Sequence, residues 1–254
     1  MTTLLYDGSF EGFLTIIFEI YNHKLLPARI ASKERYQPQI FDTVEDIGTD
    51  EEKAKRVWTG LCKKISAEAQ KAIYYTFLSE EDETEIVLYR YIKRILATTH
   101  KIEQNFGDPD ILKTWQIAKK VAHESHRVIM FVRFQKTADD IYFAGFDPQY
   151  DVLPLSLNHF KDRFADQKWV LYDTRRDYGF FYDLQTITEI NLTNSTIDFK
   201  TSRLKEEAMA EDELAFQQLW KIYYTEMAIK ERLNLKLQRQ HMPKRFWKYL
   251  VEKW

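Results

Sequence analysis

The chain has 254 residues, 44% apolar and 15% aromatic, with a formal charge of −2; it can bury one large core or two modest ones, which excludes a disordered polymer. No apolar stretch approaches the ~20 residues of a membrane span, and no basic region leads into an apolar run with a small-residue cleavage site, so a cytosolic protein without a membrane partner is expected. One cysteine, Cys62, and a single pair of glycines within four residues, Gly8 and Gly12, exclude an internal disulfide, a multi-cysteine zinc site, a self-held iron–sulfur cluster and phosphate-wrapping loops, and imply no cofactor.

Helical spacing dominates the first half of the chain. Ser9 is placed to cap a helix carrying Phe10, Phe13, Leu14, Ile17, Phe18 and Tyr21, which stops near Pro27. Thr49 with Glu52 forms a capping box for a second helix through Trp58 and Leu61, and Ser79 with Asp82 does so for a third through Ile86, Tyr89, Ile92 and Ile95. Asp108 and Pro109 open a fourth, with Leu112, Trp115, Ala118 and Val121. Residues 1–126 therefore read as a helical bundle.

At Arg127 the period changes. VIMFVRFQ and IYFAGFD, separated by KTADD, read as an antiparallel hairpin. VLPLSLNHFKDRFAD returns to helical spacing, and WVLYDT and GFFYDLQ follow, joined by RRDYG. The order strand-strand-helix-strand-strand over 127–200 predicts a small antiparallel sheet with one helix against it, residues 186–200 adding a strand or only a loop. In residues 201–254, a long helix from Ser202 to Gln240 begins acidic and ends basic, matching its dipole, and Pro243 starts a short terminal helix. The fold class expected is α+β. No repeat or low-complexity linker marks a hard boundary between the three regions.

Four constellations invite a functional reading. The segment from Lys230 onward carries +6 while the remainder of the chain carries −8. Within it Lys236, Arg239, Lys244, Arg245 and Lys248 are placed to contact phosphates, and Trp247 or Tyr249 to stack on a base. Equally, Phe246, Trp247 and Leu250 can anchor the terminus to the core. The HESH segment, His123 to His126, lacks the spacing of a metal-protease motif and reads as structural. Asp173, Arg175, Arg176, Asp177 and Asp183 crowd a tight connection, either as a self-paired hairpin turn or as an arginine-lined phosphate site. Asp7 and Gly8 read as a turn feeding the helix that Ser9 caps, with no base coupled to the serine.

Taken together, YDGSFEGFL, HRVIMFVRF, DVLPLSLNHFKDRFADQKWVLYDTRRDYGFFYD and MPKRFWKYL resemble a bacterial family labelled probable DNA metabolism or putative DNA repair proteins. The resemblance implies a DNA-linked role beside a radical-SAM protein, which members are typically encoded next to. Some members are fused to a uracil-DNA glycosylase-like domain. The present chain leaves no room for that domain and has no helix-hairpin-helix, so base excision by this polypeptide alone is not expected. The family pattern falls on Arg127, Arg133, Arg163, Asp173 and Arg176, charged positions that core packing explains poorly. Two further readings follow, an enzyme whose polar pocket these five residues line and a protein-interaction scaffold; DNA is the partner expected first.

Overall fold

The computed structural model describes residues 2–38, 42–192, 197–198 and 201–253, which divide into two compact units, residues 1–123 and 124–254. The predicted regions 127–200 and 201–254 thus fall in one unit.

The first unit combines helices with a parallel sheet that helical periodicity conceals. Strand β1 (Thr2–Tyr6) lies between β2 (Arg29–Ser32) and β3 (Thr43–Asp46), and both pairings are parallel, with Leu4 opposite Ile30 on one side and Glu45 on the other. Parallel strands need a crossover, and helix α1 (Phe10–His23) supplies it between β1 and β2. The turn into α1 is the Asp-Gly turn expected. Gly8 takes φ 92°, a left-handed value that favours glycine, and Ser9 Oγ caps the helix by accepting from Gly12 N at 2.9 Å. Asp7 accepts from Ser9 Oγ at 2.6 Å and from Thr49 Oγ1 at 2.7 Å, tying this turn to the entry of α2 (Glu51–Cys62). With Thr49 so engaged, Asp50 is the residue that caps α2, through Lys53 N at 3.0 Å.

Helix α3 (Ala67–Phe77), capped by Ser66, was hidden inside the stretch between the second and third expected helices. Helix α4 (Thr84–Ala97) starts after a left-handed Glu83 without a side-chain cap. Ser79, expected as its cap, donates instead to the Thr76 carbonyl at 2.7 Å. The first-unit core gathers Leu4, Tyr6, Phe13, Ile17, Leu61, Ile73, Leu88 and Ile92, each aliphatic side chain worth roughly 1.5–3 kcal/mol on burial.

Helix α5 (Pro109–Phe131) is longer than composition suggests. VIMFV, expected as strand, forms its last turns because Val121, Glu124, Ser125, Val128 and Phe131 make one buried stripe at helical spacing. The first strand of the second unit is accordingly only β4 (Gln135–Lys136). It is followed by β5 (Tyr142–Phe146), helix α6 (Leu153–Arg163), β6 (Trp169–Asp173), β7 (Tyr178–Tyr182) and β8 (Ile187–Ile190), in the sheet order β4-β5-β6-β7-β8. The element order is the one expected, but the sheet is mixed rather than antiparallel. Helix α6 is a crossover, so β5 and β6 run parallel, Phe143 opposite Val170. Trp169, fully buried, lies 5.3 Å from the Tyr182 ring and 6.4 Å from that of Phe160 on α6.

Part of 186–200 is β8, and part is β9 (Ile197–Asp198), which pairs antiparallel with β10 (Arg203–Leu204). The single long helix expected from 202 to 240 is instead broken into β10, a 3-10 turn at Glu206–Ala208, helix α7 (Glu213–Glu226), a second 3-10 turn and helix α8 (Leu235–His241). The pairing of Arg203 and Leu204 with β9 takes up the start of that stretch, and Asn234 recaps the chain for α8 through Leu237 N at 3.0 Å. After Pro243 the terminal turns are 3-10 (Lys244–Tyr249 and Val251–Lys253). Trp254 lies outside the described residues. Among the described residues no helix is long and apolar enough to cross a membrane.

Candidate nucleic-acid interface

Two of the predicted constellations meet around one loop of the second unit. Strand β5 runs out into Asp147, Pro148 and Gln149, and three parts of the chain hold this segment. From α5, the buried Glu124 accepts from Gln149 N at 3.0 Å. From the β6–β7 turn, Arg175 donates to the Gln149 carbonyl at 3.2 Å and Arg176 to the Pro148 carbonyl at 3.3 Å. From the terminal turns, Lys248 Nζ pairs with Asp147 Oδ2 at 2.7 Å, and the Tyr249 hydroxyl accepts from Asp147 N at 2.8 Å while donating to its carboxylate.

The turn that presents Arg175 is organised by Asp173. This carboxylate is fully buried. Its Oδ1 accepts the backbone N–H of Arg175 at 2.9 Å and of Arg176 at 3.1 Å, and its Oδ2 accepts from the Arg176 side chain at 2.9 Å. Burial pushes the Asp173 carboxyl above its usual range, opposed by the Arg176 charge and these donors. Asp173 and Arg176 therefore form the self-paired turn of the plainer reading, and Arg175 is left projecting into solvent.

The result is a groove of about 560 Å³ lined by Asp147, Gln149, Arg175, Lys244, Arg245, Phe246, Lys248 and Tyr249. Four cations and one carboxylate face it. They are not equivalent. Arg245 is clamped on Glu124, with Nη1 to Oε1 at 2.8 Å and Nη2 paired with Oε2, and its guanidinium lies 4.5 Å from the Phe246 ring. Lys248 is held by Asp147. Arg175 spends a bond on one carbonyl and keeps further N–H donors of its planar fork for a ligand. Lys244 is exposed, with no hydrogen bond or ion pair among the described residues. Chemically, the groove offers convergent positive charge that fits phosphate oxygens.

The tail divides between residues that anchor it and residues that line the groove. Phe246, Tyr249 and Leu250 are buried anchors, with Phe246 5.1 Å from Phe131. Trp247 donates its Nε1 to the Met242 carbonyl at 3.0 Å, and Lys253 lies 5.4 Å over its ring, so it is half-buried structure beside the groove and not part of its lining. Lys236 and Arg239 stand exposed on α8, likewise outside the lining. The five-residue polar set is not joined into one cluster. Among the described residues, hydrogen bonds within it link only Asp173 and Arg176. Arg133 is committed to Glu252 at 3.1 Å and to two carbonyls at the end of α5; Arg163 is exposed at the C-terminus of α6, where a cation suits the helix dipole; and Arg127 is half-buried on α5.

Asp147, Gln149 and the role of Glu124 escaped the sequence reading. Glu124 sat inside HESH, where attention falls on the histidines, and only its burial beside Arg245 shows what it does. Arg175 was visible as one of a charged group, without a signal to separate it from Arg176.

No curated protein matches the chain. A family model does, over residues 82–252, about two thirds of its length. The chain belongs to the family described as a domain of unknown function, DUF4130.

Proposed function

We propose that this protein is a cytosolic accessory factor of DNA metabolism that binds nucleic acid by its phosphate backbone in the groove of the second unit. The observation that carries the reading is the convergence of Arg175, Lys244, Arg245 and Lys248 on one groove from two segments about 70 residues apart, where Glu124 and Asp147 pair with two of the four and Arg175 and Lys244 are left to face a ligand. Phosphate contacts of this kind give affinity and register without sequence preference. The resemblance noted above supports DNA as the target and a radical-SAM protein as the working partner, which would then supply the chemistry while this chain supplies the grip.

The test is fluorescence anisotropy of labelled single-stranded and duplex DNA against the full chain over a series of salt concentrations. The reading expects binding at low salt that weakens steeply as salt rises, since counterion release drives it. Absence of binding by folded protein at low salt would make the partner the DNA reader and this chain its scaffold.

A further inference from the structure

Helix α7 is turned inside out. Its buried residues are polar. Glu213 accepts from Lys136 N at 3.0 Å and from Gln217 Nε2 at 2.8 Å, and Gln217 is buried with it. Its exposed residues are mostly apolar. Phe216, Leu219, Trp220, Tyr223 and Met227 recur at i, i+3, i+4, i+7 and i+11, one helical stripe, and are 41–64% exposed. Ile229, Leu233 and Leu237, on the next turn and on α8, are likewise about half exposed, and α8 sits beside α7 through a bond from Gln238 Nε2 to the Tyr224 hydroxyl at 3.2 Å. A surface helix in a finished monomer shows the reverse arrangement.

We infer that this face is a homodimer interface, in which α7 packs antiparallel on α7 of a second copy about a two-fold axis. Two observations select a second copy. The first is area. Eight large side chains, each about half exposed, offer on the order of 900 Å², above the few hundred Å² of a typical monomer's largest patch and matching the roughly 800 Å² per partner of a standard interface. The second is charge. The N-terminal end of α7 is flanked by exposed Glu206, Glu207, Glu211 and Asp212 against the cation Lys205, and the C-terminal end by exposed Arg232, Lys236 and Arg239 against Glu226 and Glu231, so the first is net acidic and the second net basic. An antiparallel two-fold pair sets each acidic end against the partner's basic end, so one surface is complementary to itself, as an isologous contact requires. The helix dipoles oppose favourably in the same arrangement. On this account Lys236 and Arg239 belong to the rim of the dimer.

Sedimentation equilibrium of the full chain tests the inference. The expected mass is that of a dimer at micromolar concentration, with Leu219→Glu and Phe216→Glu each raising the dissociation constant about tenfold or more. Both positions are exposed, and unchanged far-UV circular dichroism checks that the variants fold. Asp212→Lys and Lys236→Glu should each weaken the dimer, and the double exchange should recover it. A monomer at about 100 µM, far above the micromolar range, overturns the inference on the unaltered protein alone. So does a dimer untouched by both apolar-to-Glu changes, or a monomer that uses this face to hold a different protein.

Discussion

Glu124 and Arg245, 121 residues apart in sequence, meet as a carboxylate whose side chain is 2% exposed and a guanidinium whose side chain is 41% exposed. The same carboxylate accepts the amide of Gln149. One buried acid thus fixes the terminal turns and the β5 loop, the two walls of the groove.

Glu124→Ala would leave Gln149 N without its acceptor and Arg245 without its partner. Because Arg245 can turn to water, the cost is expected below that of a fully buried pair, about 2 kcal/mol, measured by urea denaturation. The more specific outcome is local. Trypsin cleavage after Arg245 and Lys248 should accelerate in native buffer, as the turns lose their pin while the sheet stays folded.

Acid sensitivity in the first unit should trace to Asp110. Hydrogen bonds from Arg90 at 2.7–3.1 Å, joined by Arg94 at 2.9 Å, hold its carboxyl below the usual range against the opposing effect of burial. A depressed folded value means that its contribution is complete above the unfolded value of about 3.9 and is lost as pH falls through the folded one. Asp110→Asn should cost about 1–3 kcal/mol at neutral pH and flatten the loss of stability below about pH 4. Thermal melts across that range read both effects.

Two glycine substitutions should move stability in opposite directions. A Cβ on Gly179 of β7 would meet the Leu171 carbonyl and the Tyr172 ring, each at 2.5 Å, across the β6 pairing. Gly179→Ala is therefore expected to destabilise by about 1–3 kcal/mol. Gly60 lies inside α2 with nothing within 4 Å of its would-be Cβ, so Gly60→Ala should stabilise by about 0.5–1 kcal/mol. Paired urea titrations decide both.

Local signals in the sequence located what local physics decides. The Ser9 cap, the Asp108–Pro109 start of α5 and the helix between two strand pairs are all present. Where tertiary contacts decide, the reading slipped. TTLLY has no periodicity to mark it, and becomes a strand because β2 and β3 flank it. VIMFV is β-branched and aromatic, yet its buried stripe continues that of α5. The basic tail was legible as charge and aromatics, but its sorting into paired Arg245 and Lys248 and a Lys244 without a partner among the described residues depends on Glu124 and Asp147, more than 100 residues away. No spacing rule reaches that far.

Whether the exposed cations of the groove hold phosphates is decided by changing Arg175→Ala and Lys244→Ala together. These changes remove charge and leave the Glu124–Arg245 clamp intact. In DNA-binding titrations over salt, the double variant should bind more weakly on every sequence tried, with a log–log salt slope reduced by roughly one for each lost contact. Unchanged affinity and slope in a folded double variant would contradict it.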